Sequence, residues 1–435
     1  MSTTRRDFLA GTAAGALGAA GLAAAAGSLL GARSAQAAPP DSTIAVKPCT
    51  VVVFLRGGQD SLNTFVPFGD PRYYDLRPTI AIPAAGQANG ALAVDSLFGF
   101  HPAMTGFKRL WDEKLLACVV NTGSPNGSRS HFDCQDFIDF GTVGDKSVHQ
   151  GWLNRYLAAT SSGAPEGEFR ALAMQGRLPR SLRGDYPVLA VPDRLTFRGD
   201  NGEDVLALFD DLYKAPPSMK GPAQMGERPD EDALTQNGRT TIDTLRKLES
   251  ILTTKPAGEL KYPLAAGRLG VQLQKTARVI KSGLGLQVVG IDVGGWDTHI
   301  NEGGPAETDT MWRMLSGVSE AITTFLDDVK DMRRYVTVLV VTEFGRTNEE
   351  NGNRGTDHGH GYTLFAAGGP VRGGKVYGEW AGLEPARSYM NRDLAVTTDY
   401  RTVFSELLLD HMKLHPSKQL FPKFTPPEAR LGLFA

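Results

Sequence analysis

The sequence predicts an α/β fold built on a largely parallel sheet, and three observations carry that prediction. Runs rich in β-branched and apolar residues recur at residues 50–55, 115–121, 286–293 and 336–342, as expected of strands in a covered sheet. Residues 308–332 separate the last two runs and have the helical pattern of the crossover that a parallel pair requires. Three of the runs, those ending at residues 55, 293 and 342, break off into glycines and polar side chains, where an open sheet keeps its chemistry, just outside the carboxyl ends of its strands.

The chain opens on an address. Ser2-Thr3-Thr4-Arg5-Arg6-Asp7-Phe8-Leu9-Ala10 is a twin-arginine signature, followed by an Ala/Gly-rich stretch too weakly apolar for a stable membrane span. Ala35-Gln36-Ala37 then supplies a small-x-small cleavage site. The expectation is a signal peptide over residues 1–37, a linker over 38–46 and a globular part over 47–435. The twin-arginine translocase would deliver the folded chain to a periplasmic or extracellular location, with no stable membrane span in the mature protein.

Loss of Arg5, Arg6, Asp7 and Arg33 moves the formal charge from −2 to −4. No basic run or aromatic-basic stripe stands out, so nucleic acid is not an expected partner. A hydrophobic content of 41% allows a large core. Cys49, Cys118 and Cys134 permit at most one internal disulfide, lack the spacing of a cysteine zinc site, and read preferentially as buried thiols.

The first strand ends in Arg56-Gly57-Gly58-Gln59-Asp60-Ser61-Leu62-Asn63. Two glycines allow a tight loop that can face a ligand, making Asp60 a candidate metal ligand and Asn63 a candidate substrate donor. The competing reading is an ordinary turn in which Asp60 bonds its own backbone. A helix over about 102–113 leads to the second strand, and Ser128-Arg129-Ser130-His131-Phe132-Asp133 then opens a helix running to Phe140. A helix N-terminus suits an oxyanion, so Ser130 is a candidate nucleophile, with Arg129 and His131 beside the bound anion. Ser130-x-x-Asp133 reads equally well as a helix cap.

Another amphipathic helix starts near Trp152. The pattern then loosens over residues 163–261, which read as an insertion or lid shaping access to a site. A helix over 264–281 leads to the third core strand and to Gly294-Gly295-Trp296-Asp297-Thr298-His299. Residues i and i+2 of an extended segment share a face, so Asp297 and His299 are candidate ligands, with Trp296 a candidate wall of the substrate pocket. The strand at 336–342 ends in Glu343-Phe344-Gly345-Arg346, followed by Gly355-Thr356-Asp357-His358-Gly359-His360-Gly361. Glu343, Asp357, His358 and His360 complete the candidate ligands, and Arg346 either stabilises developing negative charge or pairs with Glu343. Mixed nitrogen and oxygen donors suit Zn²⁺ or Mn²⁺. Export of a folded chain fits a metal acquired in the cytoplasm, away from tighter-binding competitors. Residues 363–367 suggest a strand beside this one, and about 400–412 a final helix.

Taken together, Leu55-Arg56-Gly57-Gly58-Gln59-Asp60, Ser130-His131-Phe132, Gly151-Trp152-Leu153, Gly295-Trp296-Asp297-Thr298-His299, Thr342-Glu343-Phe344-Gly345-Arg346, Asp357-His358-Gly359 and Thr397-Thr398-Asp399-Tyr400-Arg401 resemble the DUF1501 family of exported bacterial proteins. The resemblance spans nearly the whole mature chain. It implies a fold like that of the alkaline phosphatase and sulfatase superfamily, an αβα sandwich around a mixed, largely parallel sheet. It also implies hydrolysis of phosphate or sulfate esters by one or two divalent metals held by Asp and His, with Ser130 in the nucleophile's position. Asp297 and His299 lie closer together than the superfamily's Asp-x-x-x-His pair, and Glu343-Phe344-Gly345 stands where Asp-His-Gly usually follows a core strand. Two classes of function follow: an exported metal-dependent hydrolase of a small-molecule or glycan ester, or a non-catalytic envelope protein binding an anionic glycan or partner in the same cleft.

Overall fold

The computed structural model describes residues 47–161, 169–193, 204, 206, 207, 230–256 and 258–435; the expected signal peptide and linker lie outside the described residues. The apolar runs form strands β1 (Cys49–Leu55), β2 (Leu116–Gly123), β3 (Ala171–Ala173), β4 (Leu189–Ala190), β5 (Val288–Val293), β6 (Val336–Thr342), β7 (Tyr362–Gly368), β8 (Lys375–Tyr377) and β9 (Thr398–Asp399). Together they make one nine-stranded sheet in the order β8-β2-β7-β6-β1-β5-β3-β4, with β9 also paired to β2. At its centre β1 runs parallel to β5 and to β6, placing Val51 opposite Val289 and Val338. Strand β7 runs antiparallel to both of its neighbours, β2 and β6. Because β7 is reversed, the segment 343–361 leaves and re-enters the sheet at the same edge.

Alternation along β1 sends its side chains to two separate cores. Val51 and Val53 pack with helices α1 (Thr105–Asp112), α4 (Asp230–Thr253), α5 (Gly267–Lys281) and α6 (Thr310–Asp328), through residues such as Phe107, Leu248, Ala277 and Phe325. Val52 and Phe54 pack on the opposite face with α2 (His131–Phe140), α3 (Trp152–Ala159) and α7 (Tyr400–Glu406), through Ile138, Trp152 and Phe404. Every residue of β1 and β6 is buried, which explains their unbroken apolar sequences. Each fully buried Val or Leu contributes about 1.5–3 kcal/mol. The result is the αβα sandwich.

Within residues 163–261 the described parts are not a lid. Strands β3 and β4 form one edge of the sheet, and Leu248 and Leu252 of α4 are core residues. Strands of three and two residues are too short to show an alternation pattern in the sequence. The three cysteines are buried free thiols. Among the described residues, no helix is long and apolar enough to cross a membrane.

Candidate metal centre

Four chain segments meet at the carboxyl edge of the parallel strands: the turn after β1, the turn after β5, the segment between β6 and β7, and the start of α2. Gly57 makes one of the close approaches, with φ at +127°. A Cβ on it would lie 2.5 Å from the backbone nitrogen of Asp297, so only glycine allows the β1 turn to seat against the Asp297 turn. Arg346 then braces these segments from within. It is 1% exposed and donates to the carbonyls of Gly58 (2.6 Å), Gly57, Trp296 (2.7 Å) and Thr356 (3.1 Å), and to Asp297 Oδ1 (2.7 Å).

On this frame three imidazoles and one carboxylate converge. His358 Nε2 lies 2.9 Å from His131 Nε2, 2.9 Å from His299 Nε2 and 3.1 Å from Asp297 Oδ1. His299 Nε2 is 2.9 Å from Asp297 Oδ1, and His131 Nε2 is 3.4 Å from Asp297 Oδ2. Ligand atoms of His131, Asp297 and His358 all fall within 4.8 Å of one another, a group able to hold a metal ion.

The other nitrogen of each ring fixes which proton it carries. His358 Nδ1 donates to the carbonyl of Arg129 at 3.0 Å, because a carbonyl can only accept. His131 Nδ1 donates to Glu343 Oε1 at 2.8 Å, and His299 Nδ1 to Asp357 Oδ1 at 2.9 Å. Burial pulls Glu343 upward, but hydrogen bonds from His131 and Gln135 hold its carboxyl below the ordinary range. Asp357 is also held low, by His299 and then Asn351. Both are ionised acceptors. With each Nδ1 donating a hydrogen, the three rings turn their Nε2 atoms toward one point beside the Asp297 carboxylate, which Arg346 keeps ionised against the pull of burial. Such an arrangement requires positive charge at its centre, as protons on the rings or as a bound cation. Fixing Nδ1 with a carboxylate or carbonyl is how proteins orient metal-ligating histidines.

Of the expected ligands, Asp297, His299 and His358 therefore stand in the cluster, while Glu343 and Asp357 orient rings. His131, expected beside an anion, joins the donors. Two expected ligands lie elsewhere. Asp60 is buried against Arg77, whose Nη2 is 2.9 Å from Oδ1, and it caps the short helix Ser61–Thr64 through the Leu62 N–H. His360 is buried and stacks on Tyr389 with ring centroids 4.0 Å apart; burial, then Arg129, pushes its pKa down to about 4.

The expected substrate-binding residues are also occupied by the fold. Asn63 is spanned by Tyr73 Oη and the carbonyl of Ile80, and Trp296 is a core residue at 1% exposure. Arg346 pairs with Asp297 and not with Glu343. Arg129 lies at the cluster through its carbonyl, with its guanidinium on Asp393 (2.9 Å from Nε) and near the Tyr389 ring. Ser130 takes the capping geometry: its Oγ accepts the Asp133 N–H at 3.5 Å.

Residues 48–420 match the family described as "Protein of unknown function (DUF1501)". The chain belongs to that family. The matched span contains every residue of the cluster. No curated protein matches the chain. Among solved structures it is similar to an alkaline phosphatase from the Antarctic bacterium TAB5, at 12% identity and a TM-score of 0.33, over 75% of this chain and 93% of that chain.

Proposed function

We propose that this DUF1501 protein is an exported, metal-dependent hydrolase of phosphate or sulfate esters. The observation that carries the metal is the convergence of three Nε2 atoms on Asp297, with every Nδ1 already engaged by an acceptor. His131, His299, His358 and Asp297 would hold the ion, and mixed nitrogen and oxygen donors suit Zn²⁺ or Mn²⁺. When bound, such an ion supplies Lewis acidity toward an ester oxygen and makes a water more acidic. Half-exposed ligands leave the cluster open to a substrate: Asp297 and His299 side chains are 46% and 37% exposed.

The chain's own residues prepare the rest. Glu343 collects His131, Gln135 Nε2 (2.9 Å) and the Gly57 N–H (2.8 Å), fixing the ring at the start of α2. The N-terminal N–H groups of α2 favour an anion beside the cluster, whereas the guanidinium of Arg129 is already paired with Asp393. With Ser130 serving as the cap, water is the attacking group. Its oxygen bonds to phosphorus or sulfur, the bond to the alcohol oxygen breaks, and the alcohol leaves with a proton.

A second reading, anion binding without turnover, is favoured by the donor count, since four protein donors can close a tetrahedral shell. Elemental analysis of protein recovered through its own export route, with turnover of aryl phosphate and sulfate esters, separates the two. Stoichiometric metal with turnover supports the hydrolase, metal without turnover supports the binding protein, and absence of metal sinks both. Export rests on Arg5-Arg6 and Ala35-Gln36-Ala37: replacing both arginines by Lys should block it, and unchanged export would overturn the twin-arginine route.

A further inference from the structure

Glu302 lies in the seam between the two turns that carry most of the cluster, and its side chain is fully buried. Oε2 accepts from Thr298 Oγ1 at 3.0 Å and from Thr356 Oγ1 at 2.7 Å. Thr298 stands between Asp297 and His299, and Thr356 directly precedes Asp357 and His358. The backbones run together along the same seam. Thr356 N–H donates to the carbonyl of Thr298 (3.1 Å), Asn301 N–H to that of Asn353 (3.0 Å) and Glu302 N–H to that of Arg354 (2.9 Å).

The other oxygen, Oε1, is buried as well and receives no hydrogen from an N–H or hydroxyl among the described residues. An ionised oxygen there would lose its solvation uncompensated. The Glu302 side chain is nevertheless hydrogen-bonded to the carboxyl of Asp60. Carboxylates can only accept, so that bond requires one of the two to keep its proton. Asp60 is the ionised member, because Arg77 bonds both of its oxygens. Arg346, the other guanidinium acting on Asp60, is engaged by Asp297 and by backbone carbonyls. Burial, and then the charge of Asp60, accordingly holds Glu302 well above the ordinary carboxyl range.

We propose that Glu302 is a positioning residue of the metal centre: a carboxylic acid that donates its proton to Asp60 and accepts both threonine hydroxyls, locking the Asp297–His299 turn to the Asp357–His358 turn. Its consequence for a metal rests on the metal reading above; the clamp rests on the contacts alone. Glu302 acts only through the turns, by holding His299 and His358 with their Nε2 atoms 2.9 Å apart. An ionised Glu302 would suit the threonines equally but would repel Asp60.

The test uses the full chain. An infrared difference spectrum, wild type minus Glu302→Gln at neutral pH, should show loss of a protonated carboxyl band with the carboxylate bands unchanged. Loss of carboxylate bands instead overturns the neutral clamp. An amide keeps both functions, its NH₂ donating to Asp60 and its oxygen accepting the hydroxyls, so Glu302→Gln should retain wild-type zinc affinity and the wild-type visible spectrum with Co²⁺ in place of zinc. Glu302→Leu cannot bridge the turns and should bind zinc at least about tenfold more weakly by chelator competition, with shifted Co²⁺ bands. Should that variant fail to fold, Thr298→Val/Thr356→Val carries the same expectation, because it removes the clamp's arms and keeps the carboxyl pair. A Gln variant as weak as the Leu variant overturns the neutral acid. Unchanged zinc affinity and Co²⁺ bands in the Leu and Val variants overturn the positioning role and leave the metal reading standing. Wild-type protein that binds no zinc overturns the metal reading and the positioning role with it, whatever the infrared band shows.

Discussion

Two groups of carboxylates lie at the same edge of the sheet, and they differ in how their charge is met. Asp60 and Glu302 are sealed: both are buried, and Arg77, also buried, bonds Asp60 and the carbonyls of Thr347 (2.9 Å) and Asn348 (3.0 Å). Glu302 Oε2 accepts from Thr298 Oγ1 (3.0 Å) and Thr356 Oγ1 (2.7 Å), joining the Asp297 turn to the Asp357 turn. Burial and the nearby Asp60 push Glu302 well up, while Arg77 holds Asp60 down against the effect of burial. One carboxylate thus faces one guanidinium, and the charge closes. In the histidine cluster it does not, because Nε2 atoms and Asp297 face one another with Arg346 on one oxygen alone. Charge balance, more than residue type, separates a structural network from a site.

The sharpest way to break this comparison is Arg77→Met. It leaves a buried carboxylate without its partner and is expected to cost about 3–5 kcal/mol of stability, read from the urea midpoint. His358→Ala, at the centre of the other group, should leave that midpoint nearly in place while removing metal. If both variants unfolded the protein equally, the two networks would not differ as described.

Next in size is Glu343→Gln, which keeps the shape but weakens the acceptor orienting His131. Metal affinity should fall about 10–100-fold, measured by chelator competition, with little change in secondary structure. A Kd within twofold of wild type would remove Glu343 from the site.

Acidity tests the same pair with its sign fixed. The hydrogen bond to Glu343 raises the His131 pKa, so in the metal-free protein the stability His131 contributes is fully present below its ordinary value, about 6.5, and is lost as pH rises through the raised value. Glu343 is depressed, so its contribution is present above the ordinary carboxylate range and fades on acidification through the lowered value. Metal binding runs the other way for His131, because the ligand form is the neutral ring. Zn²⁺ affinity should therefore climb as pH rises through the raised His131 value, and a flat profile from pH 5 to 8 would exclude the ring as a ligand. The smallest effect is that of Ser130→Ala, expected to cost about 1 kcal/mol as a lost cap while turnover persists.

The sheet was legible in the sequence because β1 and β6 are buried along their whole length and read as continuous runs of apolar and β-branched residues. Asp297 and His299 were legible for a related reason: an i, i+2 pair in extended chain shares a face. The same rule fails between His358 and His360, because His358 is bridged to Arg346 and His360 turns to Tyr389. Asp60 misleads because a carboxylate after two glycines looks the same whether it meets a metal or a guanidinium, and Arg77 stands in an unmarked Leu-Arg-Pro. His131 as a donor had no local signal. Its role depends on Glu343, far away in sequence, and a His at a helix start reads as a neighbour of a bound anion before it reads as a ligand.

The reversal of β7 also bears on how this site can change. Segment 343–361 supplies His358, Asp357 and Glu343, and both of its ends are fixed to the same edge of the sheet, by Thr342 at the end of β6 and Tyr362 at the start of β7. Closing such a loop costs only slightly more as it lengthens. Residues can be gained or lost beside Gly352, where an added Cβ would meet nothing within 4 Å, without sliding any strand past its neighbour. The tip of the segment can thus change in length while Asn348, Glu350 and Asn351 hold its flanks to the neighbouring turns and the sandwich beneath it stays in register.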